Sequence, residues 1–197
     1  MKSLKLTKPH LIAMVGIPGA GKSYFAKNFA DTFKAPIISS EYLRSELFKA
    51  PSFSKEEDVI LNRITNYMLD QILKTNQTII YIGQTNSRSD RSLITKKTHN
   101  MGYEPLFIWV QTEQITAQKR ATKRINKKLA LTIDQFNNKL KKFTPPATVE
   151  KAIVISGKHT YASQIKIVLK RLTKTREKAI KQSTISRPTI NRNRLIR

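Results

Sequence analysis

The octapeptide Gly16-Ile17-Pro18-Gly19-Ala20-Gly21-Lys22-Ser23 meets every fixed position of the pattern G-x-x-x-x-G-K-[ST]. Its flanks narrow the fold further. The apolar run Leu11-Ile12-Ala13-Met14-Val15 before it has the length of a buried parallel strand. Tyr24, Phe25, Ala26, Phe29 and Ala30 after it recur at helical spacing. Strand, glycine loop and helix in that order make an anion cradle. Glycines let successive N–H groups turn inward on one anion, and the helix N-terminus adds further N–H groups and the positive end of its dipole. Gly16, Pro18, Gly19, Ala20, Gly21, Lys22, Ser23 and Tyr24 therefore form the expected nucleotide-binding set. Lys22 would bring a point charge to the β- and γ-phosphates and Ser23 a hydroxyl ligand for Mg²⁺. Pro18 stiffens the loop and Ala20 keeps it small.

The remaining pattern alternates strand and helix. Apolar runs at about 35–39, 78–82, 106–110 and 152–156 read as four more strands. A short helix after the second strand, capped by Ser39 or Ser40, runs to about Phe48. Ser54-Lys55-Glu56-Glu57 reads as a capping box opening a long helix, with Val59, Ile60, Ile64, Tyr67, Met68, Ile72 and Leu73 as its inward face and Asn76 at its end. Further helices are expected at about 88–101, from Glu113 on, at 132–143 and at 161–172. Such alternation predicts an α/β domain around a parallel sheet, with ligands beyond the C-terminal strand ends. That rim would hold the glycine loop, Glu41, the Gly83-Gln84-Thr85-Asn86 loop and the segment after Val110.

Charge adds a partner class. The 197 residues carry 37 Lys+Arg against 13 Asp+Glu, a formal net charge of +24. That excess favours anionic partners, with RNA or DNA the first candidate and a merely solubilising surface the alternative. The segment 175–197 is basic, polar and interrupted by Pro188, and reads as a disordered tail following a 1–174 domain. With no cysteine and no apolar stretch of spanning length, the expected location is cytoplasmic, with no membrane contact. His10, His99 and His159 lack metal-ligand spacing and are expected at the surface or in caps.

Over about residues 10–172 the chain resembles the small P-loop kinases related to the kinase domain of polynucleotide 5′-kinase, often labelled AAA-type ATP-binding proteins in bacteria. Five stretches carry the resemblance in order. The first is the glycine loop. The second is Ser39-Ser40-Glu41-Tyr42-Leu43-Arg44, where the family has Asp-x-x-Arg. This implies that Glu41 accepts the proton of an attacking hydroxyl and that Arg44 holds the acceptor, although glutamate is a methylene longer. The third is Gly83-Gln84-Thr85-Asn86 with Arg88 and Arg91, against the family's Asp-x-Thr-Asn. Gly83 stands where an aspartate normally organises the magnesium shell, so Gly83→Asp is expected to raise activity. Thr85, Asn86, Arg88 and Arg91 are implied substrate or supporting residues, with capping of the next helix as the alternative for Thr85 and Asn86.

The fourth stretch, Lys119 to Arg124, implies a lid at about 113–143. Arg120 and Arg124, four apart, would share a helix face above the phosphates. The fifth, Phe143-Thr144-Pro145-Pro146 and then Ser156-Gly157-Lys158, matches weakly. The resemblance implies a three-layer P-loop NTPase fold, nucleotide-kinase-like, with a five-stranded parallel sheet and a basic helical lid. It also implies ATP and Mg²⁺, since no guanine-reading Asn-Lys-x-Asp occurs. Three activities stay open. One is phosphate transfer to a hydroxyl, polynucleotide or small-molecule. The others are nucleotide binding with little transfer, and nucleic-acid binding with a residual loop.

Overall fold

A computed structural model describes residues 8–185. Five strands, β1 (His10–Val15), β2 (Ile37–Ser39), β3 (Ile79–Ile82), β4 (Glu104–Gln111) and β5 (Ile153–Ser156), form one sheet in the order β2-β3-β1-β4-β5. Every pairing is parallel, with Ile12 opposite both Ile80 and Leu106. The central strand, β1, is buried along its whole length, which explains its unbroken apolar run.

Alternate residues of the strands feed two cores. Ile12, Met14, Ile80, Ile82, Ile108 and Ile155 pack against Phe25 and Phe29 of α1 (Lys22–Phe33) and Val168 and Leu172 of α7 (Tyr161–Ile185). Leu11, Ala13, Ile38, Ile79 and Phe107 face Leu69 and Leu73 of α3 (Lys55–Leu73) and Ile94 of α4 (Arg88–Asn100). Helices thus cover both faces of the sheet. The short α2 (Ser40–Leu47) follows β2, and its N-cap is Ser39, which accepts from the Tyr42 N–H. Segment 113–143 folds as α5 (Gln114–Thr122), a 3₁₀ turn at Lys127–Leu129 and α6 (Ile133–Lys141). It builds a third, smaller core from Ala117, Ala121, Leu131 and Phe136, with Ile17 of the glycine loop packed against it.

Several expectations change. The buried side of α3 is Glu57, Leu61, Thr65, Leu69 and Leu73, whereas Val59, Ile60 and Tyr67 are exposed. Apolar residues surround this helix, so hydrophobic spacing alone did not single out one face. Ser54 does accept from the Glu57 N–H, but the Glu57 carboxylate does not close a capping box. It accepts from the amides of Ser52 and Phe53 and pairs with Arg44. α4 is capped by Ser87, which forms a full capping box with Asp90, rather than by Thr85 or Asn86. His10 is buried in β1, its Nδ1 within 2.9 Å of the Lys8 carbonyl, rather than exposed. α7 continues past Leu172 to Ile185, through a sequence of strong helix formers. The remainder of the expected tail, 186–197, lies outside the described residues. No helix among the described residues is long and apolar enough to cross a membrane.

Candidate functional site

The glycine loop joins β1 to α1 at the C-terminal rim of the sheet. Its backbone needs the residues it has. Gly16, Gly19 and Gly21 adopt φ of +143°, +76° and +108°, values that L side chains rarely reach. A Cβ on Gly19 would also collide with the Ala117 carbonyl, so α5 sits directly on the loop. The turn is closed by the Ala20 N–H donating to the Ile17 carbonyl at 3.2 Å. It is anchored by the Thr112 hydroxyl donating to the Ala20 carbonyl at 2.8 Å. The Phe25 N–H donates to the Gly21 carbonyl and opens the helix. First-turn amides ahead of it have no partner one helical turn back and face the loop.

Lys22 Nζ donates to the loop's own carbonyls, Gly16 at 2.7 Å and Ile17 at 3.0 Å. Burial lowers its pKa to about 8, against the opposing pull of Glu41. The Ser23 hydroxyl lies 3.4 Å from Glu41 Oε2. Tyr24 is exposed at the head of α1.

Glu41, in the first turn of α2, meets Arg124 in a two-pronged pair, Nη1 to Oε2 at 3.0 Å and Nη2 to Oε1 at 3.2 Å. Burial alone would raise its pKa; Arg124 and then Lys22 outweigh that and hold it at about 2. The carboxylate is therefore fully ionised and a poor proton acceptor while Arg124 stays on it. Arg124 itself is not on a helix. α5 ends at Thr122, and Arg124 follows in the connecting segment. Arg120 remains on α5 and donates from Nη1 to the Gly157 carbonyl at 2.9 Å. The two arginines therefore do not share a helix face. One reaches the acidic group of α2 and the other the loop after β5.

Arg44, on α2, is buried with its guanidinium paired to Glu57 and Asp58 of α3, and Phe53 lies under it at 4.8 Å. It lines the cleft with its charge already matched. Arg91 is almost fully buried. It pairs with Glu150 and donates to the carbonyls of Thr85 and Thr144, both at 3.0 Å. The Thr85 hydroxyl donates to the Met14 carbonyl at 2.8 Å. Asn86 accepts from the Thr144 N–H at 2.8 Å through its backbone while its side chain borders the cleft. Arg91 and Thr85 thus hold the loop after β3 against β1 and the 144–150 link. Arg88 is exposed.

The space beside Gly83 has an occupant. The Tyr81 ring, 2% exposed, lies where a side chain on Gly83 would go, and a Cβ there would overlap Tyr81 Cε1, Cζ and the hydroxyl. The Tyr81 hydroxyl accepts from the Gln84 N–H at 3.3 Å. Gly83 and Tyr81 are thus a matched pair, and the expected gain from Gly83→Asp alone does not survive this packing.

Lys22, Glu41, Arg44, Asn86 and Arg124 border one cleft of about 530 Å³, together with Pro18, Phe53, Asn62, Lys139 and Lys142. Sequence reasoning missed Phe53, Tyr81 and Lys139. The first two carried no pattern beyond apolar residues near loops. Lys139 was hidden among the lysines of the segment.

The family profile described as "AAA domain" matches residues 11–146. No curated protein matches the chain by sequence. Among solved structures, a gluconokinase from Sinorhizobium meliloti aligns with TM-score 0.64 at 15% identity, covering 89% of this chain and 98% of that one. Chaetomium thermophilum Kti12 in complex with ADP-AlF3 aligns with TM-score 0.64 at 16% identity, over 81% and 96%. The Mycobacterium tuberculosis APS kinase CysC, in complex with AMPPNP and APS, aligns with TM-score 0.63 at 16% identity, over 85% and 98%. At such identities these likenesses concern the fold, which is that of the small P-loop kinases. With its glycine loop, its parallel sheet and a match over most of its length, the chain belongs to the AAA domain family of P-loop proteins.

Proposed function

We propose that the protein is an ATP-dependent phosphotransferase that moves the γ-phosphate of ATP to a hydroxyl group. The observation that carries this reading is the convergence of Lys22, Ser23, Glu41 and Arg124 at the mouth of the glycine loop. The loop amides and Lys22 would grip the triphosphate. Lys22 now rests on loop carbonyls and would exchange them for phosphate oxygens. The Ser23 hydroxyl suits a hard divalent cation that keeps several waters, so Mg²⁺ would be held there as a charge-neutralising partner of the phosphates.

Arg124 is a latch in this reading. It neutralises Glu41; with triphosphate present it would turn to the γ-phosphate, where an arginine offsets developing charge. Glu41, released, regains basicity and takes the proton of the attacking hydroxyl. The new O–P bond then forms as the bond to ADP breaks. Arg120, near the loop after β5, would flank the nucleotide. Arg44 positions α2 rather than touching phosphate, through Glu57 and Asp58.

For the acceptor we favour a polynucleotide 5′-hydroxyl. The net charge of +24 supports it, as do the exposed Lys123, Lys127 and Lys128 beside the cleft. The basic segment 175–197 would add backbone contacts. A small-molecule hydroxyl is the second reading, supported by the fold shared with a gluconokinase. A transfer assay with γ-labelled ATP across 5′-hydroxyl oligonucleotides and small alcohols tests both. Label in a product supports transfer and names the acceptor class. ATP binding with no labelled product across the panel would leave a nucleotide-binding protein instead.

A further inference from the structure

The cations of the cleft differ in what already holds them. Lys22 rests on two loop carbonyls, Arg124 on Glu41 and Arg44 on Glu57 and Asp58. Lys139, on α6, is different. It is half-buried and lines the same cleft, yet among the described residues it makes no ion pair or hydrogen bond. Its neighbour is the Phe53 ring, 5.8 Å from Nζ. A ring attracts an ammonium without cancelling its charge. Phe53 is fixed, with the Arg44 guanidinium nearer still at 4.8 Å. It adopts φ of +58°, unusual for a bulky residue, and its N–H donates to Glu57 Oε2 at 2.9 Å. The carboxylates that act on Lys139 are Asp58 and Glu41, each already engaged by an arginine, while Arg44 and Lys142 repel it. Lys142, three residues on and exposed, borders the same cleft.

Resting on the phosphotransfer reading above, we propose that Lys139, supported by Lys142, forms a phosphate-binding subsite for the acceptor in the cleft that Glu41 borders. The acceptor is then an alcohol that already carries a phosphate. Two ammonium groups without a planar fork suit phosphate oxygens as point charges. Burial lowers the Lys139 pKa, as expected for a cation lacking a close partner, and a bound phosphate would raise it again.

Calorimetry on the full chain, loaded with Mg²⁺ and a non-hydrolysable ATP analogue, tests this with ligand pairs differing in one phosphate. One pair is a thymidine dinucleotide with a free 5′-hydroxyl against its uncharged methylphosphonate. The other is glucose 1-phosphate against glucose. The phosphorylated member of at least one pair should bind roughly ten- to hundredfold tighter. Lys139→Gln should erase that preference with analogue affinity unchanged, and Lys139→Arg should keep most of it. Preference in the first pair assigns the phosphate to a nucleic-acid backbone, in the second to a small phosphorylated alcohol. Equal or absent binding in both pairs, or a preference that survives Lys139→Gln, overturns the subsite. If the analogue still binds in that case, the nucleotide reading stands. Failure of the wild-type protein to take up the analogue overturns both.

Discussion

Lys22 carries the sharpest consequence at the scale of single residues. Its ammonium, with a pKa lowered by burial to about 8, is charged below that pH and neutral above it. A bound triphosphate raises the pKa, so binding at pH 8 should take up about half a proton. Calorimetry in buffers of different ionisation enthalpy reads this directly, and affinity should fall as the pH rises beyond 8. Arg124→Ala should return the Glu41 pKa toward its ordinary range and remove charge stabilisation from transfer. We expect kcat to fall by about 10²- to 10³-fold with ATP affinity changed little. Gly83→Asp should not activate the protein. It overpacks against Tyr81 and should cost about 1–3 kcal/mol in chemical denaturation. Tyr81→Leu with Gly83→Asp should relieve the strain, and activity gained from the new carboxylate should appear only in that double variant. The glycine loop was legible in the sequence because its residues are required by backbone geometry that no other residue type tolerates. The Tyr81–Gly83 pairing was not, because side-chain occupation of an empty position leaves no local pattern.

Among the elements, strands were the easiest to read. β1 and β3 are apolar runs buried on both sides, and β5 is a short apolar run at the sheet edge with Val154 exposed; no competing period obscures them. α3 was harder. Its true inner face includes Thr65, 1% exposed and donating to the Leu61 carbonyl at 2.8 Å, a polar residue that hydrophobic counting places outside. Stability measurements should separate the two faces. Leu69→Ala should cost about 2–5 kcal/mol, while Tyr67→Ala, at an exposed position, should stay within about 0.5 kcal/mol. Arg124 was misplaced because basic residues continue beyond Thr122 although the helix does not, and charge alone does not mark a helix end. Arg44 and Arg91 were recognised as arginines of the site, but their carboxylate partners come from distant segments. Glu57, Asp58 and Glu150 have to be brought near by the fold before the ion pairs exist.

On the scale of the whole molecule, one segment, 113–143, supplies α5 against the glycine loop, Arg124 against Glu41 and Lys139 in the lining of the cleft. Its core is small, built on Ala117, Ala121, Leu131 and Phe136. The Glu41–Arg124 pair ties it to α2, and triphosphate would compete for that arginine. Nucleotide should therefore reorder this segment, as slower amide exchange across 113–143 in the presence of ATP and Mg²⁺ would record. All of this depends on the triphosphate being held where Lys22 and the loop amides converge. Titration of the purified protein with Mg-ATP by calorimetry tests it most directly. Saturable one-to-one binding that Lys22→Ala abolishes is the predicted result. Heat of binding absent at millimolar ATP, or uptake unaffected by Lys22→Ala, would contradict it.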